Sequence, residues 1–318
     1  MVDTRKAEMR KVGSLDVTVA GLGCNNFGMR LDEERTKAVV DACFEAGINN
    51  FDTAEGYGGG KSEEFLGRAL GSRRSEVVIT TKVSGFNAPE GATRGSAQCI
   101  AAAIDNSLAR LGTDYVDLYL LHMPDPDTPI GDTLEAFATL IAAGKVREIG
   151  CSNFSAQMLE EAAAAAEERG VPAFVNVQNN YSLLDRSVEE EVIPACQRLG
   201  ITFMPYFPLA SGVLTGKYKR GEAAPEGTRL AAWGDRANAM LADERMDAVD
   251  RLSAYAEGHG HTLPELALSY LAGTPTVASV IAGATSPEQV RANVAATGAW
   301  HLTDAERAEA VELARIGS

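Results

Sequence analysis

Short runs that read as buried strands recur along this chain with helix-like segments between them, at residues 19–22, 49–52, 77–82, 116–122, 146–151, 174–178, 202–206 and 277–281. Most of these runs are at least half apolar and short enough to read as buried strands, with polar residues gathered toward their ends. Most lie roughly 30 residues apart, the size of one strand plus its crossover helix. The segments between them carry helical spacing: Val40 with Phe44 before Gly47, and Ile100, Ile104, Leu108 and Leu111 before Gly112. The alanine run at 162–166 reads as part of an outer helix. Eight such units predict an α/β fold, a (β/α)8 TIM barrel, as one domain over residues 1–318.

Two regions break the rhythm. Residues 9–12 and 15–17, joined through Gly13-Ser14, predict a hairpin ahead of the first barrel strand, placed to close the barrel floor. Between Tyr206 and Val277 the gap is far longer than one crossover. It opens with a glycine-rich, basic stretch at 211–235, then carries two helical patterns at 243–257 and 264–271. A long loop inside a compact domain is usually functional, so this stretch is expected to be a flap over a ligand. The tail ends in a helical pattern at 304–314.

Composition narrows the function classes. A formal net charge of −15 opposes binding to nucleic acid or to an anionic membrane. No segment has the roughly 20 apolar residues of a membrane span, and the polar start MVDTRKAEMRK has no signal-peptide core. Cys24, Cys43, Cys99, Cys151 and Cys196 are dispersed and odd in number. That pattern suits free thiols in a reducing cytoplasm, the expected location, better than disulfides or zinc. With four histidines and no suitable carboxylate spacing, no metal site is expected.

The candidate chemistry sits where the strands end. Asp52 closes one predicted strand with Tyr57 just past it, and Lys82 and His122 close the next two. Each could be bland alone: Asp52 a turn cap, Lys82 a snorkelling stem, His122 a core imidazole, Tyr57 a rim aromatic. Residues at the carboxyl ends of barrel strands, however, face one shared mouth. There an acid, a phenol, an ammonium and an imidazole together make a proton-donating site. The chain also offers Gly21-Leu22-Gly23-Cys24-Asn25-Asn26, a weak Rossmann signal that lacks its third glycine.

The motifs GLGCNNFG, FDTAEGYGGGKSEEFLGRAL, TTKV, DLYLLH, GKVREIGCSNFS, VQNNYS, PYFPLASGVLTGKY and VIAGATSPEQVRANV occur in this order. Together they resemble the aldo-keto reductase superfamily over nearly the whole chain, from about residue 19 to 294. The resemblance implies an NADP(H)- or NAD(H)-dependent enzyme that reduces aldehydes or ketones without a metal, using Asp52, Tyr57, Lys82 and His122. Hydride addition builds negative charge on the carbonyl oxygen, which needs a proton and hydrogen-bond donors. Tyr57 would be the acid. Its phenol, ordinarily near pKa 10, would be lowered by the Lys82 cation. Asp52 would hold Lys82 charged, and His122 would orient the substrate oxygen. A non-catalytic alternative exists within the resemblance, since some relatives serve as channel subunits.

By the same resemblance, Ser152, Asn153 and Gln178 grip the nicotinamide carboxamide, Tyr206 stacks on its ring, and Cys24 and Asn25 meet its ribose. Pro208, Leu209, Ala210, Ser211, Gly212, Leu214 and Lys217 form the flap over the pyrophosphate. Ile281, Gly283, Thr285, Ser286, Gln289 and Asn293 align with the adenine end. Many relatives carry Lys or Arg at the positions of Gly283, Ser286 or Gln289 to bind a 2′-phosphate, and this chain does not. Arg291 or Arg229 could substitute, so NADP(H) is favoured with NAD(H) possible. Asn26, Phe27, Met29, Phe86 and Met123 would line the pocket for a small-molecule carbonyl substrate.

Overall fold

The computed structural model describes residues 8–316. The chain start on which the signal-peptide argument rested lies mostly outside the described residues. A parallel sheet of eight strands runs β3 (Ala20–Gly23), β4 (Asn50–Asp52), β5 (Val78–Val83), β6 (Val116–Leu121), β7 (Val146–Ser152), β8 (Asn176–Gln178) and β9 (Thr202–Phe203), with β10 (Val280–Gly283) beside β3. Three hydrogen bonds join β9 and the residues just after it to β10 and the residues just before it: Phe203 N–H to Thr276 O at 2.8 Å, Ala278 N–H to Phe203 O at 2.9 Å, and Ile281 N–H to Pro205 O at 3.3 Å. The predicted (β/α)8 barrel is therefore the observed fold.

Between the strands lie α1 (Glu33–Glu45), α2 (Lys61–Leu70), α3 (Ala97–Leu111), α4 (Ile130–Ala142), α5 (Ala156–Arg169) and α6 (Val192–Leu199). Beyond β9 come α7 (Asp235–Met240), α8 (Asp243–Gly258), α9 (Leu263–Ala272), α10 (Pro287–Ala296) and α11 (Asp304–Leu313). Every residue of β5 and β6 is buried, as strands sandwiched between barrel interior and helix layer must be. Helix starts are fixed by local chemistry. The side chains of Asp32, Ser96, Ser155 and Ser286 accept from the backbone N–H three residues on, at α1, α3, α5 and α10. Before the barrel, β1 (Met9–Val12) pairs antiparallel with β2 (Leu15–Thr18). Val12, Leu15 and Val17 of this hairpin pack against Val78, Leu118, Leu120 and Met204, plugging the barrel.

Three expectations need correction at their edges. The seventh barrel strand, expected over 202–206, is regular only over Thr202–Phe203; Met204 and Tyr206 still donate to Val177 O at 2.9 Å and Asn179 O at 3.1 Å, while Pro205 has no N–H for the neighbour on its other side. The eighth, expected over 277–281, pairs with β3 only from Val280, since Val277 bridges instead to Phe203. The long insertion is not all loop, for α7 forms within it ahead of the two expected helices.

Candidate active site

The β4 exit explains how an acid and a phenol from one loop meet a lysine from the next strand. Past Asp52 the chain keeps tracking β5: Thr53 N–H donates to Thr80 O at 2.8 Å and Glu55 N–H to Lys82 O at 3.3 Å. Tyr57 then opens a 3-10 turn, and Gly58 follows with φ 61°. A Cβ there would lie 2.8 Å from Phe27 O, so only glycine lets the turn fold back this tightly. On the neighbouring strand His122 N–H extends the ladder to Val83 O at 2.9 Å. Three strand exits thus supply the four residues, with Asp52 and Tyr57 sharing one.

Lys82 is buried, and its Nζ donates to both Asp52 carboxylate oxygens at 2.8 Å and to Thr53 O at 2.7 Å. Gln178 Nε2 donates to Asp52 Oδ1 at 2.7 Å. Burial is the largest single influence and works against the Lys82 charge, yet the opposing attractions, led by Asp52, together outweigh it and the ammonium pKa ends above its ordinary value. An ion pair with this many hydrogen bonds can tolerate its desolvation. Lys82 Nζ lies 5.2 Å from the centroid of the Tyr57 ring, and that ring meets His122 edge-on at 5.8 Å. The expected lowering of the Tyr57 pKa is only half right. Burial raises it, Lys82 pulls it down, and the net is above the ordinary phenol value. Burial, then Lys82 and Arg94, push His122 down to about 3, so its imidazole is neutral at physiological pH.

These four residues open into a cavity of about 850 Å3 that runs from the barrel mouth under the flap. Of the expected cofactor residues, Asn25, Ser152, Asn153, Gln178, Tyr206, Pro208, Leu209, Ser211, Gly212, Lys217, Arg229, Ile281, Gly283, Thr285, Gln289 and Asn293 line it. Asn153 holds φ 64°, donates from Nδ2 to His122 O at 3.0 Å, and accepts from the Tyr206 hydroxyl at 2.6 Å. Arg229 donates to Asn25 Oδ1 at 3.2 Å. Cys24, Ala210 and Leu214 are buried beneath the lining instead. Ser286 caps α10, and Arg291 is exposed on that helix outside the cavity.

The substrate residues divide. Asn26 and Met123 line the cavity. Phe27 does not, being fully buried in the core. Met29 at 69% exposure and Phe86 at 52% stand on the open rim. The sequence reading missed Arg30, Phe207, Glu226 and Thr228, which also line the cavity. Arg30 reaches across the mouth to donate to Gly227 O of the flap. Its place in the β3–α1 loop was the available signal, but contact with residues some two hundred positions on is tertiary.

The cavity fits an anionic nucleotide. Arg30, Lys217 and Arg229 line it, and among the described residues none of the three is within ion-pair distance of a carboxylate. Gly283 keeps the floor open where a Cβ would come 3.3 Å from Asn26 Nδ2 and 3.7 Å from Arg229 Nη2. A barrel with such a mouth defines a class, and comparison with known proteins names it. The model of the Aldo/keto reductase family matches residues 20–315, and the chain belongs to that family. A probable voltage-gated potassium channel subunit beta of Arabidopsis thaliana is 39% identical over 277 residues, covering 85% of this chain and 84% of that one. The L-glyceraldehyde 3-phosphate reductase of Escherichia coli K12 is 32% identical over 86% of this chain and 81% of its own length. The NADH-specific methylglyoxal reductase of the same organism is 33% identical, covering 96% and 100%. No helix among the described residues is long and apolar enough to cross a membrane.

Proposed function

We propose that this protein is an NAD(P)H-dependent oxidoreductase that reduces small aldehydes or ketones to alcohols. The observation that carries this reading is the buried Asp52–Lys82 pair set beneath the Tyr57 ring, with neutral His122 at that ring's edge. A reduced nicotinamide bound in the cavity would supply the hydride. Ser152, Asn153 and Gln178 would hold its carboxamide, and Tyr206 would face its ring. The flap from Pro208 to Lys217, with Arg229, would hold the diphosphate.

The proton comes from Tyr57. A phenol that burial keeps protonated is ready to donate, and Lys82 stabilises the phenolate left behind. Asp52 keeps Lys82 charged and aimed. His122, neutral, can donate one N–H to the carbonyl oxygen without adding a competing acid at neutral pH. NADP(H) is the favoured cofactor: Arg229 lies in the cavity and Arg291 on the adjoining helix, while NAD(H) remains usable because no cation occupies positions 283, 286 or 289.

An aromatic aldehyde assayed with NADPH and with NADH tests the reading. Tyr57→Phe should cut turnover at least about 100-fold, the lower end of what general acid catalysis supplies, while cofactor affinity stays within a few-fold. Retention of a tenth of wild-type turnover would remove Tyr57 from the role. The plant relative's name motivates a second reading, a cofactor-binding partner protein without turnover. Tight NADPH binding with no reduction of any aldehyde in the panel would favour it.

A further inference from the structure

On the far side of Tyr57 and His122 from the flap lies the β5–α3 loop, residues 84–96, which is bolted to the site from two directions. Glu55, itself buried, accepts from Ser84 N–H at 2.6 Å, Ser84 Oγ at 2.9 Å and Phe86 N–H at 3.2 Å. This sets Phe86 against the Tyr57 turn, where a Cβ on Gly56 would touch it at 3.8 Å. The other end of the loop is tied to the segment after His122. Gly95 N–H donates to Asp125 Oδ2 at 2.7 Å, Thr133 Oγ1 donates to Gly95 O at 2.9 Å, and the Thr93 and Thr128 hydroxyls meet at 2.5 Å.

Between those pinned neighbours stands Arg94. Its side chain is half-buried, yet among the described residues it has neither a hydrogen bond nor an ion pair. Nearby carboxylates are spoken for: Glu55 by the loop amides, Asp125 by Gly95 and Asp127. The guanidinium is close enough to His122 to disfavour a proton there. The reacting residues themselves carry no net charge on this side. Lys82 is matched by Asp52, and Tyr57 and His122 are neutral.

We propose that Arg94 is the substrate's anion-binding residue, so that the preferred substrates are carbonyl compounds carrying a carboxylate or a phosphate. A planar guanidinium on a fixed backbone, partly desolvated and lacking an internal acceptor, is built for an oxyanion. Met123, which lines the cavity, and Phe86, held beside the Tyr57 turn, would flank the carbon skeleton between that anion and the carbonyl. This inference rests on the reductase reading above and refines its substrate class.

The test compares matched pairs: benzaldehyde with 4-carboxybenzaldehyde, and glyceraldehyde with glyceraldehyde 3-phosphate. Wild-type kcat/KM should favour the charged member of at least one pair by about tenfold, a single charge-assisted contact at a half-exposed site. The pair that shows it tells carboxylate from phosphate. Within Arg94→Gln the ratio should collapse toward one, and Arg94→Lys should restore part of it. A wild-type ratio near one in both pairs overturns the proposal, as does a ratio that survives in Arg94→Gln. Calorimetry with 4-(hydroxymethyl)benzoate on NADP+-saturated protein gives a readout independent of turnover. Tenfold weaker binding in Arg94→Gln supports the anion site even if no aldehyde is reduced, and equal binding sinks it. Failure of the reductase reading therefore shows as absent turnover, whereas failure of this one shows as absent discrimination.

Discussion

At the scale of single residues, the phenol of Tyr57 is held between opposing influences. Burial raises its pKa and Lys82 lowers it, with burial ahead. Removing the cation should therefore push the phenol higher still, and the consequence is directional. In Lys82→Met the group that must lose a proton for alcohol oxidation titrates at higher pH, so the rising limb of the oxidation pH–rate profile should move to the alkaline side. Turnover at neutral pH should fall with it. A profile that stayed in place would make Lys82 a scaffold for Asp52 only. Asp52→Asn should act in the same direction more weakly, because Lys82 would keep Thr53 O but lose its charged partner. His122, at about 3, predicts no limb of its own between pH 5 and 8.

At the scale of elements, the flap is where backbone geometry meets the cofactor. Ser211 and Gly212 sit at φ 59° and 97°, back to back in the left-handed region, and Gly212 lines the cavity. A Cβ at Gly212 would lie 3.0 Å from Lys217 Nζ, a flexible end that can move, so the cost of Gly212→Ala is mainly backbone strain, about 1 kcal/mol. Cofactor affinity should drop several-fold while kcat at saturating cofactor holds; an unchanged Kd would take the diphosphate away from this flap. Much of this was legible in the chain. Strands such as those over 77–82 and 116–122 announced themselves as short, largely apolar runs between helical segments, and Asp52, Lys82, His122 and Gln178 stood at strand ends. What escaped depended on contacts distant in sequence. Phe27 looked like a loop aromatic but the β3–α1 turn folds it inward, and Arg30 meets a flap carbonyl across the mouth. Arg94 drew no notice because nothing in the sequence shows that a cation lacks a partner.

At the scale of the whole molecule, a net charge of −15 surrounds a mouth lined by Arg30, Lys217 and Arg229. A reduced nicotinamide dinucleotide is itself anionic, so the two fields oppose each other and differ in range. At 0.01 M ionic strength the screening length is roughly 30 Å, comparable to the protein, and the overall negative charge is felt on approach. At 0.15 M it is about 8 Å, and an incoming anion senses mainly the cations at the mouth. The association rate of NADPH, followed by stopped-flow fluorescence, should therefore rise from 0.01 M salt to around 0.1 M. It should fall at higher salt, as the local attraction is screened in turn. Arg229→Gln should flatten the falling limb and leave the rising one, since the rising limb belongs to the surface as a whole. A rate that fell monotonically from the lowest salt would mean that the mouth cations dominate at every range, and that the acidity of the remaining surface has no part in cofactor capture.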